Sequence, residues 1–340
     1  MILKTVLVTG GAGYIGSHTA KALAASGIKP VVYDDFSNGH RGAVRWGPLI
    51  KGDVRDQARL AETMARFEID AVIHFAGLIE VGRSVVAPDR FWDINLNGTA
   101  AVAGAMRDTG ITRLVFSSTA AVYGQPSGDG LGRLSEPAAK APLNPYGDSK
   151  LAAERLVAAY GRAYGLEGVA LRYFNAAGAD PSGDLGEAHA CESHLIPLAI
   201  EAALGLGPAL TVHGCDYPTP DGGCLRDYVH VCDLARAHIL ALTAPVGPSR
   251  FEAFNLGSGR GRSVLEVIAA VDRATGRTTP YTTGVRREGD PAVLVADPGR
   301  AARLMGWRAE RSSLDQIVGD AMAWRKAPRF GFQPPSEAAA

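Results

Sequence analysis

Thr5-Val6-Leu7-Val8-Thr9 runs directly into Gly10-Gly11-Ala12-Gly13-Tyr14-Ile15-Gly16, and this junction decides the fold. The short apolar run predicts a strand, the glycines a tight turn, and the segment from Tyr14 to about Ser26 a helix. Gly10 suits the turn, Gly13 lets a pyrophosphate approach the backbone, and Gly16 lets the helix press on the sheet. Tyr14 and Ile15 open the helix, where unpaired N–H groups and the positive dipole end face an anion. A second apolar run, Pro30-Val31-Val32-Tyr33, ends in Asp34, eighteen residues beyond Gly16. An acid there can hold adenosine ribose hydroxyls, and its charge repels a 2′-phosphate, so NAD is expected and NADP is not.

Working outward, strands and helices alternate. Strands are expected at 49–52, 71–75, 113–118 and 168–174, with helices near 56–67, 90–108 and from Tyr146 onward. That alternation predicts an α/β fold, a doubly wound parallel sheet of the Rossmann kind covered on both faces. From about Ala176 the loops lengthen and Pro and Gly become frequent. The expected division is therefore a dinucleotide-binding domain over 1–176 and a smaller mixed α/β substrate domain over 177–340, with the tail 334–340 frayed.

Composition excludes several classes. Basic and acidic residues balance at 35 each, so no global field favours nucleic acid or an anionic membrane. No uninterrupted apolar run reaches the ~18 residues of a membrane span, and glycines cut the N-terminal run too early for a signal peptide. A cytoplasmic protein is expected. Cys191, Cys215, Cys224 and Cys232 show no metal-ligand spacing, so reduced thiols and no metal are expected.

The chemistry points to Tyr146 and Lys150. Four residues apart at the start of a helix, they share a face, and an ammonium beside a phenol lowers its pKa toward that of a general base. Upstream, Phe116-Ser117-Ser118-Thr119 ends a strand at the edge where ligands bind, so the Thr119 hydroxyl can reach the same substrate atom.

Together with Gly52-Asp53-Val54-Arg55-Asp56, Ile73-His74-Phe75-Ala76-Gly77, Asn144-Pro145-Tyr146-Gly147-Asp148-Ser149-Lys150, Leu171-Arg172-Tyr173-Phe174-Asn175, Arg226-Asp227-Tyr228-Val229-His230 and Arg286-Arg287-Glu288-Gly289-Asp290, these motifs give the chain a family likeness. From Leu3 to about Trp307 it resembles the extended short-chain dehydrogenase/reductase family, and within that family the UDP-sugar 4-epimerases. The resemblance implies that Tyr146 takes the proton of the sugar 4-hydroxyl while C4 passes hydride to NAD. The 4-keto sugar then turns over and takes hydride back on its other face.

It further implies cofactor contacts at Asn38, Asp53, Val54, Phe75, Ala76, Gly77, Asn95 and Tyr173. On the substrate side it implies Asn175, Arg226 and Arg287 at the UDP phosphates, Asp290 at the uridine ribose, and His194, Leu195 and His213 nearby. Leu294 would line the sugar pocket. The chain departs from the best-known enteric form at several of these positions. Ile79 stands in place of a lysine near the NAD phosphates, Thr119 of a serine, His194 of an asparagine, His213 of an aromatic residue and Leu294 of a tyrosine. A homodimer is also implied.

Thr119 is followed by Ala120-Ala121, so the carboxylic acid that sugar-nucleotide dehydratases carry there is missing. UDP-glucose/UDP-galactose is the first expected substrate pair. UDP-xylose/UDP-arabinose and the UDP-N-acetyl sugars are the alternatives, and a catalytically silent NAD-binding redox sensor is the non-enzyme reading.

Overall fold

The computed structural model describes residues 3–125, 132–190, 192–287 and 290–331; Cys191, Glu288, Gly289 and the tail 334–340 lie outside them. The apolar runs form strands β1 (Thr5–Thr9), β2 (Lys29–Asp34), β3 (Leu49–Lys51), β4 (Ala71–His74), β5 (Arg113–Thr119) and β6 (Glu167–Tyr173). With Phe251–Leu256 they make a seven-stranded parallel sheet in the order Phe251–Leu256, β6, β5, β4, β1, β2, β3. The order reverses between β1 and β4, and a crevice at that switch point is where ligands bind in such sheets.

Both faces are covered. Helices Tyr14–Ala25 and Val231–Ala241 close one face over Val6, Val8, Leu23, Leu234 and Trp307. Helices Gln57–Arg66, Gly98–Thr109 and Pro145–Tyr164 close the other over Leu7, Leu60, Met64, Val102, Met106 and Val157. Full burial of each such aliphatic side chain contributes ~1.5–3 kcal/mol, which is why nearly continuous apolar runs suit a sheet covered twice.

The division at residue 176 needs correcting. The seventh strand comes from Phe251–Leu256 and one covering helix from Val231–Ala241, so the chain leaves the sheet and returns to it. The second layer holds the short strands Asn175–Ala177, Leu225–His230, Gly261–Ser263 and Val293–Leu294. Helices Leu195–Leu204, Val264–Thr275 and Leu314–Lys326 pack there around Ile196, Ile200, Val267, Val271 and Ile317.

The helix expected over 90–108 is also broken. Pro88–Phe91 is α-helical, Trp92–Asn97 winds as a π-helix, and Gly98–Thr109 resumes the α-helix before Gly110 ends it at φ 74°. No helix of the described residues is long and apolar enough to cross a membrane. Cys215, Cys224 and Cys232 are free.

Burial holds three histidines neutral. It lowers His18 to about 4, His74 to about 3 and His238 to about 4. His74 bridges Thr9 Oγ1 on β1 (2.7 Å) and Thr99 Oγ1 on the helix Gly98–Thr109 (3.1 Å). Each folded pKa lies below the unfolded value of ~6.5, so the unfolded chain takes up protons first as pH falls. The stabilising contribution is complete above pH ~6.5 and shrinks toward pH 4, by up to ~1.4 kcal/mol per unit for each histidine. His189 and His194, which Glu187 and Glu192 raise against burial, act in the opposite sense near pH 7, so thermal melts should show Tm falling mainly from pH 6 to pH 5. A flat profile would contradict neutral burial.

Candidate active site

The glycine turn fits a dinucleotide. Gly10 adopts φ +69°, and a Cβ there would lie 2.5 Å from the Ala76 nitrogen. A Cβ on Gly16 would lie 2.3 Å from the Gly10 oxygen, so the helix presses on the turn rather than on the sheet, as the sequence reading had it. Gly13 caps the helix with no side chain over it, and no acid occupies the first turn, so Tyr14, Ile15 and Gly16 keep the positive end open to an anion. A cleft beside it is lined by Ala12, Gly13, Tyr14, Ser17 and Asn38 from the dinucleotide side.

Asp34 sits buried at the end of β2 and accepts from Ala12 N–H (2.9 Å) and Phe36 N–H (2.8 Å). It thus braces the turn, while burial raises its pKa against those two bonds. Each carboxylate oxygen accepts one of these bonds and keeps a second lone pair for a ribose hydroxyl. Asp53 is held by Arg55, which lowers its pKa. Val54 is buried in the core against Gly98, so its side chain is structural.

At the switch point, Gly77 lies where a Cβ would come 2.8 Å from Asn95 Oδ1 and 3.3 Å from Lys150 Nζ. Three expected residues therefore converge. Asn95, however, is 1% exposed, neither a surface polar group nor a free ligand. Its amide donates to the Leu78 carbonyl (3.1 Å) and Ser149 Oγ (3.0 Å), and its oxygen accepts from Leu78 N–H (2.8 Å). It clamps the β4 loop to the helix of Tyr146 and Lys150. It sits in the π-turn Trp92–Asn97, a kind of turn common at functional sites.

Asn144 caps that helix by accepting from Gly147 N–H (2.9 Å), and Pro145 suits its first position. Tyr146 is hydrogen-bonded to Thr119, which stands at the C-terminal end of β5 and also accepts from Ala121 N–H at 3.1 Å. The expected lowering of the phenol by Lys150 is not found. Burial raises Tyr146, and only Thr119 pulls it back. The physical reason is that Lys150 points elsewhere, donating to the Ser117 carbonyl (3.0 Å), with burial lowering it to about 8. Phe75 packs tilted against His238, and Tyr173 spends its hydroxyl on Ser117 Oγ.

The substrate-side residues gather in the second layer. Asn175 and Leu294 flank Leu225–His230, in register with Tyr228 and Arg226 respectively. Leu294 also packs with Phe174 on Val122, Tyr123, Leu134 and Leu151, joining this layer to the Tyr146 helix. Arg226 and Asp290, expected as separate anchors, are ion-paired with each other. Arg286 is engaged by Asp216 and stacks on Tyr217, whereas the exposed Arg287 makes no such pair among the described residues. His213 lies 3.2 Å from the Val285 carbonyl, and Ile79 is exposed. His194 precedes helix Leu195–Leu204 without capping it through its side chain, and its ring is bound to Glu187, with His189 and Glu192 beside it. That cluster, spaced Glu187-x-His189-x-x-Glu192-x-His194, takes no ligand from a cysteine, so the spacing of the cysteines gives no sign of it.

The NAD dependent epimerase/dehydratase family model matches residues 6–257. A UDP-glucose 4-epimerase of Rhizobium leguminosarum bv. trifolii is 47% identical over 321 residues, covering 94% of this chain and 97% of its own. The crystal structure of UDP-glucose 4-epimerase from Brucella ovis in complex with NAD superposes with a TM-score of 0.89 at 49% identity, covering 94% and 98%. That of the Stenotrophomonas maltophila UDP-glucose 4-epimerase with bound NAD and formylated UDP-arabinopyranose gives 0.90 at 40% identity, covering 95% and 98%.

Proposed function

The chain belongs to the NAD dependent epimerase/dehydratase family, and we infer that within it the chain interconverts UDP-glucose and UDP-galactose as an NAD-dependent 4-epimerase. The observation that carries this reading is the Thr119–Tyr146 hydrogen bond at the end of β5, with Lys150 one turn away, on a sheet whose glycine turn fits a dinucleotide. Bound NAD supplies the hydride acceptor and donor for C4. Gly10, Gly13 and Gly16 with Asp34 would hold it, and Asp53, Phe75, Ala76 and Gly77 would border it.

Tyr146 takes the proton of the 4-hydroxyl and later returns it, with the Thr119 hydroxyl holding the phenol oxygen toward the sugar. Burial alone keeps the phenol protonated, so positive charge is needed beside it during oxidation. Lys150 is the protein's own source. Asn175, Arg226 and Arg287 would hold the UDP phosphates, and Asp290 the uridine ribose once Arg226 releases it. Ala120 and Ala121 offer no acid for elimination, which favours epimerisation over dehydration. A cytoplasmic homodimer completes this reading, with the dimer checked by light scattering.

The test is turnover of UDP-galactose with NAD monitored in parallel. UDP-glucose should form with no net NADH, and stoichiometric NADH would identify a dehydrogenase. In a panel of UDP-sugars, the plain hexoses should lead, with weaker activity on UDP-GlcNAc because Leu294 leaves more room than a tyrosine. Apolar pocket changes of this kind are worth ~1–3 kcal/mol. Leu294→Tyr should therefore lower UDP-GlcNAc turnover roughly 10–100-fold and spare UDP-galactose. Equal losses on both would show that Leu294 supports the fold and does not gate the pocket.

A further inference from the structure

We propose that Glu187, His189, Glu192 and His194 form a binding site for one divalent transition-metal ion, Zn²⁺ being the ion their chemistry suits. Their four ligand atoms lie within 4.8 Å of one another. His189 Nδ1 is 3.3 Å from Glu187 Oε1 and 3.5 Å from Glu192 Oε1. His194 Nδ1 is 3.6 Å from Glu192 Oε1 and in contact with Glu187 Oε1. A tetrahedral centre with ligand bonds of ~2.0–2.2 Å separates its ligand atoms by ~3.3–3.6 Å. Three of these separations already match the edges of such a tetrahedron, and the His194–Glu187 hydrogen bond is the one contact that would open to admit the ion.

Hydrogen bonding alone accounts poorly for this arrangement. Each imidazole presents one Nδ1 to both carboxylates, yet it can satisfy only one of them well. A cation at the centre would satisfy all four donors and neutralise the paired glutamates. Two imidazoles exclude the oxygen-seeking Mg²⁺ and Ca²⁺ and select Zn²⁺ or a neighbour in its row.

The surroundings have the features of a supported metal site. Glu192 Oε1 also accepts from the Ser193 (2.8 Å) and His194 (2.9 Å) amides, which orient it. Trp324 Nε1 donates to the Glu187 carbonyl at 2.9 Å, and a Cβ on Gly186 would lie 2.2 Å from the Trp324 ring, so this backbone is fixed from behind. His40 Nε2 donates to the Ala188 carbonyl (2.5 Å). Glu187 is buried while the His194 side chain is 44% exposed, which leaves an entry path for an ion.

The site is structural in kind and has a functional address. Ala188 and His189 face Gly13 and Tyr14 across the cleft beside the glycine turn. His194 immediately precedes the helix that begins at Leu195. An ion here would pin the segment that borders the dinucleotide cleft to that helix. Only this last coupling rests on the proposed NAD-binding reading.

The experiment is metal analysis of the full chain after equilibrium dialysis against Zn²⁺, with Co²⁺ substitution as a spectroscopic readout. About one ion per chain and the visible absorption of four-coordinate Co²⁺ with nitrogen and oxygen ligands are expected. His189→Ala and His194→Ala should each lose the ion, and the milder Glu192→Gln should weaken it at least tenfold with the circular dichroism of the wild type. Cys191→Ser, which changes the only thiol in the segment, should keep the ion and the spectrum unchanged. No stoichiometric uptake, equal uptake by the histidine variants, or loss in Cys191→Ser would each overturn the assignment. None of these outcomes depends on epimerase activity, so failure here and failure of the proposed reaction are distinguishable.

Discussion

Tyr146→Phe should reduce turnover by roughly 10²–10⁴-fold, the usual contribution of a positioned acid–base group, while NAD and UDP still bind. The change removes one hydroxyl and little else. The ring keeps its edge contact with Phe91 at 6.5 Å between centroids, and Thr119 keeps its bond from Ala121 N–H. Lys150 is held by the Ser117 carbonyl and does not depend on the phenol. The loss should therefore fall on kcat, with the dissociation constants for NAD and UDP close to those of the wild type. Turnover near the wild-type value would exclude Tyr146 as the proton carrier. A collapse of nucleotide binding would show that the hydroxyl organises the pocket.

The parts of this site legible in the sequence are those set by local spacing. The Gly10–Gly16 turn, Asp34 at a strand end, and Tyr146 and Lys150 on one helical face depend on residues close in the chain, and each lies on the element expected of it. Parallel pairing is not local. Phe251–Leu256 looks like many short apolar runs, and nothing nearby in sequence assigns it to β6. For the same reason the Arg226–Asp290 pair, 64 residues apart, was invisible. Asn95 shows a third kind of gap. It shares the buried face of its helix with Phe91, Gly98 and Val102, but spacing does not say that its amide is spent on Leu78 and Ser149. The direction of Lys150 could not be read either, because spacing defines a shared face and does not say which acceptor the ammonium selects.

Glu154→Ala should be strongly destabilising, for reasons that also explain a motif. Arg172, part of the Leu171–Asn175 segment whose pattern suggested ligand contacts, touches no ligand position. It is buried and donates to Glu154 through Nε (2.8 Å) and Nη2 (2.6 Å). Its Nη1 donates to the Tyr123 hydroxyl at 3.0 Å, which donates to Asn255 Oδ1 at 2.6 Å. Ser118 Oγ donates to the same carboxylate at 2.5 Å. The network thus ties the end of β5, the helix of Tyr146 and Lys150, β6 and the seventh strand into one unit behind Thr119. Removing the carboxylate leaves a guanidinium buried without its counter-charge, at a cost of about 3–5 kcal/mol. The midpoint of chemical denaturation should fall accordingly with its slope unchanged. Replacing both partners, as Glu154→Leu with Arg172→Leu, removes the stranded charge and should recover much of the loss. Stability of Glu154→Ala equal to the wild type would mean that water reaches Arg172, and a double variant as unstable as the single would mean that Arg172 is held mainly by Tyr123.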